Sequence, residues 1–222
     1  MFTHNPLPRL NIDRLDYDTG RRYLTPEGYQ YESVTTWLGR ISDDTWLKEW
    51  YARVGEKEAT KISTRAAERG TRLHENVERY LNNTEVDIST LNMLDKSLFL
   101  PFKSHLDGHV DNIRCIEYPL YSDILKLGGS IDLCADYDGV ISTIDFKTSK
   151  DRKNKADITN YFLQTTIYTV MLAERYKITT NKLVIIIALD WENKVQVFEE
   201  DPKKWIRPLM ELIKKHPPKV IT

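Results

Sequence analysis

Gly128-Gly129-Ser130-Ile131-Asp132, then Asp138-Gly139, then Ile144-Asp145-Phe146-Lys147-Thr148-Ser149 is the stretch that decides the fold. Asp-Gly is a strong signal for a two-residue hairpin turn, because both central positions need positive φ. Folding the chain there sets Tyr137 against Val140, Leu133 against Ile144 and Asp132 against Asp145. Strand alternation puts Ile131, Leu133, Ala135 and Tyr137 on one face with Ile144 and Phe146, as core. Asp132, Asp145 and Lys147 share the other face. Two carboxylates directly opposite each other repel, and a divalent cation between them removes that repulsion. Hard oxygen ligands suit magnesium or manganese. The stretch reads as a metal site with a lysine two residues along the same strand, provided no slip or bulge unpairs the aspartates.

Working outward, Ile113 to Tyr121 reads as a strand carrying Glu117, with Cys115 and Pro119 on its face and Ile116, Tyr118 and Leu120 on the other. Downstream, Ala156 to Tyr176 reads as a helix with Gln164 and Tyr168 one turn apart. Leu183 to Leu189 is a buried strand and Lys194 to Phe198 its partner. Asp201-Pro202 opens a last helix with Trp205, Ile206, Leu209, Met210 and Ile213 inward. Upstream, Arg22 to Tyr31 suggests a small hairpin around Pro26-Glu27-Gly28, and Ser33 caps a short helix. Asp43-Asp44 precedes Trp46, Leu47 and Trp50, an amphipathic pattern ending near Gly55. One helix follows from about Glu56 and another from about Ser63 to Leu81. The latter's apolar stripe is Ala66, Gly70, Leu73, Val77 and Leu81, with His74 and Glu78 beside it. Asn82 to Lys96 reads as loop, then a short helix from about Leu98 to His109.

The chain has 222 residues, enough for one domain with a sizeable core. Three regions are expected within it: an N-terminal hairpin and helical region over about 1–62, a catalytic core over about 63–200, and a C-terminal helix over about 201–222. Hydrophobic content of 41% and charged content of 29% are those of a soluble globular protein. No apolar run approaches a membrane span, and Met1 to Leu10 has neither a secretion signal nor an Arg-rich presequence, so the expected location is cytoplasmic. Two cysteines, Cys115 and Cys134, make no disulfide scaffold and cannot supply the four thiolates of an iron–sulfur cluster.

Net charge is −1, so no general basic coat for nucleic acid exists. Positive charge is local. Lys150, Arg152, Lys153 and Lys155 follow the metal strand and read as phosphate contacts. Arg65, Arg69 and Arg72 form a second candidate DNA-binding cluster on the His74 helix.

Glu117, Gly129-x-x-Asp132, Asp145-x-Lys147-Thr148-Ser149 and Gln164-x-x-x-Tyr168 together resemble the PD-(D/E)XK nucleases. With His74 in Arg69-Gly70-Thr71-Arg72-Leu73-His74, the resemblance is to the RecB-like branch. Ser33-Val34-Thr35-Thr36, Trp50, Gly55, Ala66 and Gly70-Thr71 are similar to mitochondrial genome maintenance exonucleases and their phage relatives. Where that family often has proline before Ser-Val-Thr, this chain has Glu32. The resemblance implies an α/β (α+β mixed) fold, with a restriction-endonuclease-like core of a central mixed sheet flanked by helices and an N-terminal helical region. It implies a magnesium- or manganese-dependent DNA exonuclease of replication, repair or recombination, acting on single strands or frayed ends. Structure-specific endonuclease, double-strand-processing exonuclease and idle nucleic-acid-binding subunit stand as alternatives. Replication or recombination proteins are candidate partners, and the oligomeric state stays open. The implied metal ligands are His74, Asp132, Asp145 and the Phe146 carbonyl, with Glu117 facing the metal directly or through water. Lys147 is the implied catalytic group, its protonation left open, and Gln164 and Tyr168 contact the phosphate or position Lys147.

Overall fold

A computed structural model describes residues 1–42, 45–190 and 192–221. Asp43 and Asp44, expected to open a helix, lie outside the described residues, as do the side chains of Trp46 and Leu47. In chain order the elements are β1 (Asp13–Tyr17), β2 (Gly20–Leu24), β3 (Gln30–Ser33), α1 (Val34–Ile41), α2 (Thr45–Val54) and α3 (Glu56–Leu81). They continue with α4 (Met93–His109), β4 (Val110–Ser122), β5 (Leu127–Tyr137), β6 (Val140–Ser149), α5 (Thr159–Tyr176), β7 (Lys182–Leu189), β8 (Val195–Glu200), α6 (Lys203–Lys215) and β9 (Val220–Ile221). All the strands join one mixed sheet: β1-β2-β3-β5-β6-β7-β8 in order, with β4 also on β5 and β9 also on β3.

The β5–β6 hairpin turns at Asp138 and Gly139, with φ of 51° and 75°, as a turn needing two positive values requires. Its register pairs Tyr137 with Val140 through to Leu133 with Ile144. There the two strands fork. β6 goes on beside β7, paired from Ser142 with Lys182 to Ser149 with Leu189. β5 goes on beside β4, and β3 reaches it only at Leu127 and Gly128. Asp132 and Asp145 are therefore not ladder partners as the hairpin reading expects, because the ladder has ended one residue earlier.

Helices cover both faces. On one, Leu73, Val77 and Leu81 of α3 and Phe99, Phe102 and Leu106 of α4 pack on Leu133, Ala135, Ile144 and Phe146. On the other, Val34 and Trp37 of α1 and Leu163, Ile167 and Met171 of α5 pack on Cys134, Leu120 and Ile131. Each fully buried aliphatic chain contributes about 1.5–3 kcal/mol relative to exposure. Ile131 thus lies opposite its expected face. Alternation breaks at the same level in β4, where Ile116 belongs to the first layer but Tyr118 and Leu120 to the second. Between the pairs Ile116–Leu133 and Tyr118–Ile131, Glu117 stands opposite Asp132 with φ of 41°. A left-handed residue inside a strand reverses which side its neighbours face, at a cost of about 1–2 kcal/mol.

Other departures are local. α3 is one continuous helix from Glu56, since nothing between Glu56 and Ser63 breaks it. α4 starts at Met93 because Asn92 caps it, its side chain accepting from the Asp95 N–H. Ile206 and Met210 of α6 are exposed, and only Leu209 of that helix is fully buried. The N-terminal strand β1 has no counterpart in the sequence reading. It pairs with β2 across Asp18-Thr19.

Candidate active site

The fork leaves β5 residues 129–132 between the end of the β6 ladder and the start of the β3 contact. A cleft of about 580 Å³ occupies this place. Its lining includes Asp132, His74, Glu117, Lys147, Gln164 and Tyr168, together with Ser33, Val34 and Thr35 from the start of α1. Gly129 is required here by close approach: an added Cβ would lie 2.8 Å from Cε1 and Oη of Tyr168 and 3.0 Å from Val34.

Asp132 sits in the fork, buried. Its Oδ2 accepts from the Phe146 backbone N–H at 2.7 Å. His74 comes from α3 on the opposite layer. Its Nδ1 lies 2.8 Å from Glu117 Oε1 and its Nε2 3.1 Å from the Phe146 carbonyl oxygen. Nε2 is 3.9 Å from Asp132 Oδ2. A carboxylate and a carbonyl only accept, so both ring nitrogens donate and the imidazole is cationic. Burial opposes that charge, but the Asp132 carboxylate and the Glu117 hydrogen bond outweigh it and raise His74 to a pKa of about 9. Ligand atoms of His74, Glu117 and Asp132 all lie within 4.8 Å of one another.

Asp145 stands beside this trio rather than in it. Its Oδ1 accepts from Gln164 Nε2 at 2.9 Å, and its Oδ2 pairs with the Lys147 ammonium. The expected Asp132–Asp145 pair gives way to Asp132 opposite Glu117, because the β5–β6 ladder ends at Leu133–Ile144 and β6 continues on β7 alone. Burial pushes Asp145 up to about 6, with the Lys147 charge working against it and Asp132 adding to it. Burial also raises Asp132, against His74 and Lys147. For Lys147 burial opposes the charge, but Asp145 and Asp132 win and hold it above its ordinary value. With no cation bound, the ion pair to Asp145 favours the ammonium form. Its Nζ lies 5.0 Å from the centre of the Tyr161 ring, a contact within cation–π range.

The expected DNA-binding cations are mostly engaged. Arg69 Nη1 donates to Asp190 Oδ2, Arg72 Nε to Asp95 Oδ2 at 2.9 Å, and Arg152 to Glu192 at 2.7 Å. Lys155 pairs with Glu200. Arg65 and Lys150 are exposed, and Lys153 is half-buried with its backbone N–H donating to Gln196. Arg14 and Arg21, absent from the sequence reading, line the cleft from the β1–β2 hairpin. Their signal was the alternation Arg14, Asp16 and Arg21, Tyr23 around Asp18-Thr19-Gly20.

One imidazole, two carboxylates and a main-chain carbonyl meet in the fork, with Asp145 alongside. That donor set fits a hard divalent cation. Its partner Lys147 places a fixed positive charge alongside, and the cleft gives a ligand access.

A family model described as the PD-(D/E)XK nuclease superfamily matches residues 35–213. The chain is similar to Mitochondrial genome maintenance exonuclease 1 of Homo sapiens, with 26% identity over 110 residues. That match covers 50% of this chain and 32% of the human protein, so the chain spans about a third of the length of that relative. The crystal structure of SSO0001 is similar with a TM-score of 0.36 and 15% identity, over 75% of this chain and 68% of that one. So loose a likeness bears no weight.

Proposed function

The chain belongs to the PD-(D/E)XK nuclease superfamily, and on that premise we propose that it is a DNA exonuclease using magnesium or manganese, acting on single strands or frayed ends. Nuclease chemistry follows from the family, whose members use divalent metal ions. The exonuclease mode is supported by the name of the human relative and the single-strand preference by the sequence resemblance. The observation that carries the reading is the convergence of His74, Glu117 and Asp132 in the fork, with the Lys147 ammonium beside them.

In this reading His74 Nε2, Asp132 and the Phe146 carbonyl would hold the cation, with Asp145 beside them keeping its ion pair to Lys147. When bound, the cation supplies Lewis-acid polarisation of the scissile phosphate. His74 ligates only after losing its Nε2 proton. Glu117 keeps the Nδ1 proton and so fixes the tautomer and the ring orientation. Lys147 orients the attacking water and neutralises charge growing on the phosphate. Gln164 holds Asp145, and Tyr161 and Asp145 hold Lys147. Tyr168, packed on Gly129, shapes the wall of the cleft against which the phosphate rests.

The test is incubation of the purified protein with end-labelled linear and closed circular DNA, single- and double-stranded, with magnesium, manganese or chelator. The reading expects short products from linear single strands, intact circles and no cleavage in chelator. Efficient cutting of closed circles would replace the exonuclease mode by an endonuclease.

A further inference from the structure

Arg14 and Arg21 sit on neighbouring strands of the β1–β2 hairpin and share one carboxylate. Arg14 Nε donates to Asp16 Oδ2 at 2.9 Å, and Arg21 Nε donates to Asp16 Oδ1 at 3.1 Å. Both arginines line the cleft that holds His74, Asp132 and Lys147. Arg14 also lines the adjoining groove along α3, beside Gly70, Thr71 and His74. The hairpin therefore reaches from the α3 side of the centre to the start of α1.

What separates this pair from Arg69, Arg72 and Lys155 is the carboxylate each one would leave behind. The side chains of Asp190 and Asp95, partners of Arg69 and Arg72, are each only 7% exposed. Glu200, partner of Lys155, is 5% exposed. Turning those cations towards a phosphate strands a buried negative charge, a large penalty. The Asp16 side chain is 61% exposed and returns to water when released. Exposed ion pairs of this kind hold weakly. A doubly hydrogen-bonded carboxylate between two guanidinium groups also has the charge and the acceptor geometry of a phosphodiester.

From these contacts we infer that the β1–β2 hairpin is a phosphate clamp. Arg14 and Arg21 exchange Asp16 for a backbone phosphodiester of the DNA strand next to the one being cut. The inference rests on reading the chain as a nuclease, and it names the strand's path: beneath the hairpin, between α3 and the first turn of α1. Asp16 is the counterion that keeps the clamp in register while no strand is bound.

The test uses the full chain, a fluorescein-labelled oligothymidylate and calcium, with affinity read by anisotropy over a series of salt concentrations. Arg14→Gln with Arg21→Gln should weaken binding at least tenfold at low salt. The slope of log affinity against log salt should shrink by about 0.7, for the one single-strand phosphate no longer neutralised. Asp16→Asn should tighten binding several-fold, because the arginines no longer carry an internal anion. Unchanged affinity and slope in the double variant, or weaker binding in Asp16→Asn, would overturn the clamp and leave the nuclease reading standing. Strand binding that depends on both arginines, in a wild type that cuts no DNA with manganese, would keep the clamp and remove the nuclease reading.

Discussion

The Phe146 backbone N–H donates to the Asp132 carboxylate at 2.7 Å, at the point where β6 leaves β5. A side chain thus takes the hydrogen bond that a strand partner would otherwise take. A cation ligand is thereby also a structural acceptor, and the two roles can be separated by substitution.

Asp132→Ala leaves the buried Phe146 N–H without an acceptor and should cost about 1–3 kcal/mol. Asp132→Asn keeps a carbonyl oxygen there and removes a buried charge, so its urea midpoint in chelator should match or exceed wild type. Both variants should lose cation-dependent turnover. Equal destabilisation by the two would contradict the acceptor role.

His74 sets a pH dependence. Its folded pKa, near 9, lies above the ordinary 6.5. The stability it contributes is therefore full below pH 6.5 and is lost as pH rises through about 9. In chelator, wild type should lose urea stability across that window, and His74→Gln should lack that part of the slope. Manganese must displace the Nε2 proton, so its binding should release a proton at pH 7–8. Calorimetry in buffers of different ionisation enthalpy counts that proton, and a count of zero would be at odds with a cationic His74.

Lys147 and Asp145 form a pair whose halves do different work. Lys147→Met should lower turnover by at least about 100-fold, within the usual range for a lost group that stabilises developing negative charge. It should also destabilise the fold by up to about 3 kcal/mol, the low end for a broken buried pair, since Asp145 can take up a proton. Adding Asp145→Asn should recover most of that stability and none of the activity. A double-mutant cycle with no coupling would show that the ion pair is incidental.

Gly129→Ala forces a Cβ to within 2.8 Å of Tyr168. The ring must move from the cleft wall, at about 1–3 kcal/mol for an overpacked core site. Thermal denaturation should show the loss, and turnover should fall with it. A variant as stable and active as wild type would mean that Tyr168 has freedom the packing denies it.

The hairpin and its register were legible because Asp138-Gly139 demands one turn geometry and the alternation on either side has one consistent reading. Ser33 as a cap, the β7 strand and the α5 pair Gln164 and Tyr168 were legible from local pattern for the same reason. The fork was not, because beyond Ile144 β6 is held by β7 alone, a partner more than thirty residues away. Nor was the left-handed Glu117, which no neighbouring residue type signals. Together these set Glu117, rather than Asp145, opposite Asp132. The ion pairs of the helix cations were hidden for a related reason: Arg72 and Arg69 look free along the helix, and their carboxylates, Asp95 and Asp190, come from distant segments.

The central claim is that the cation required for cleavage is held by His74 and the fork carboxylates. Pulsed electron paramagnetic resonance of the manganese-loaded protein reads this directly. Wild type should show nitrogen-14 modulation from one imidazole, His74→Gln should lose it, and cleavage of a linear strand should fall with it. Manganese bound without nitrogen modulation in a fully active wild type, or a His74→Gln variant that keeps both signal and turnover, would contradict the account.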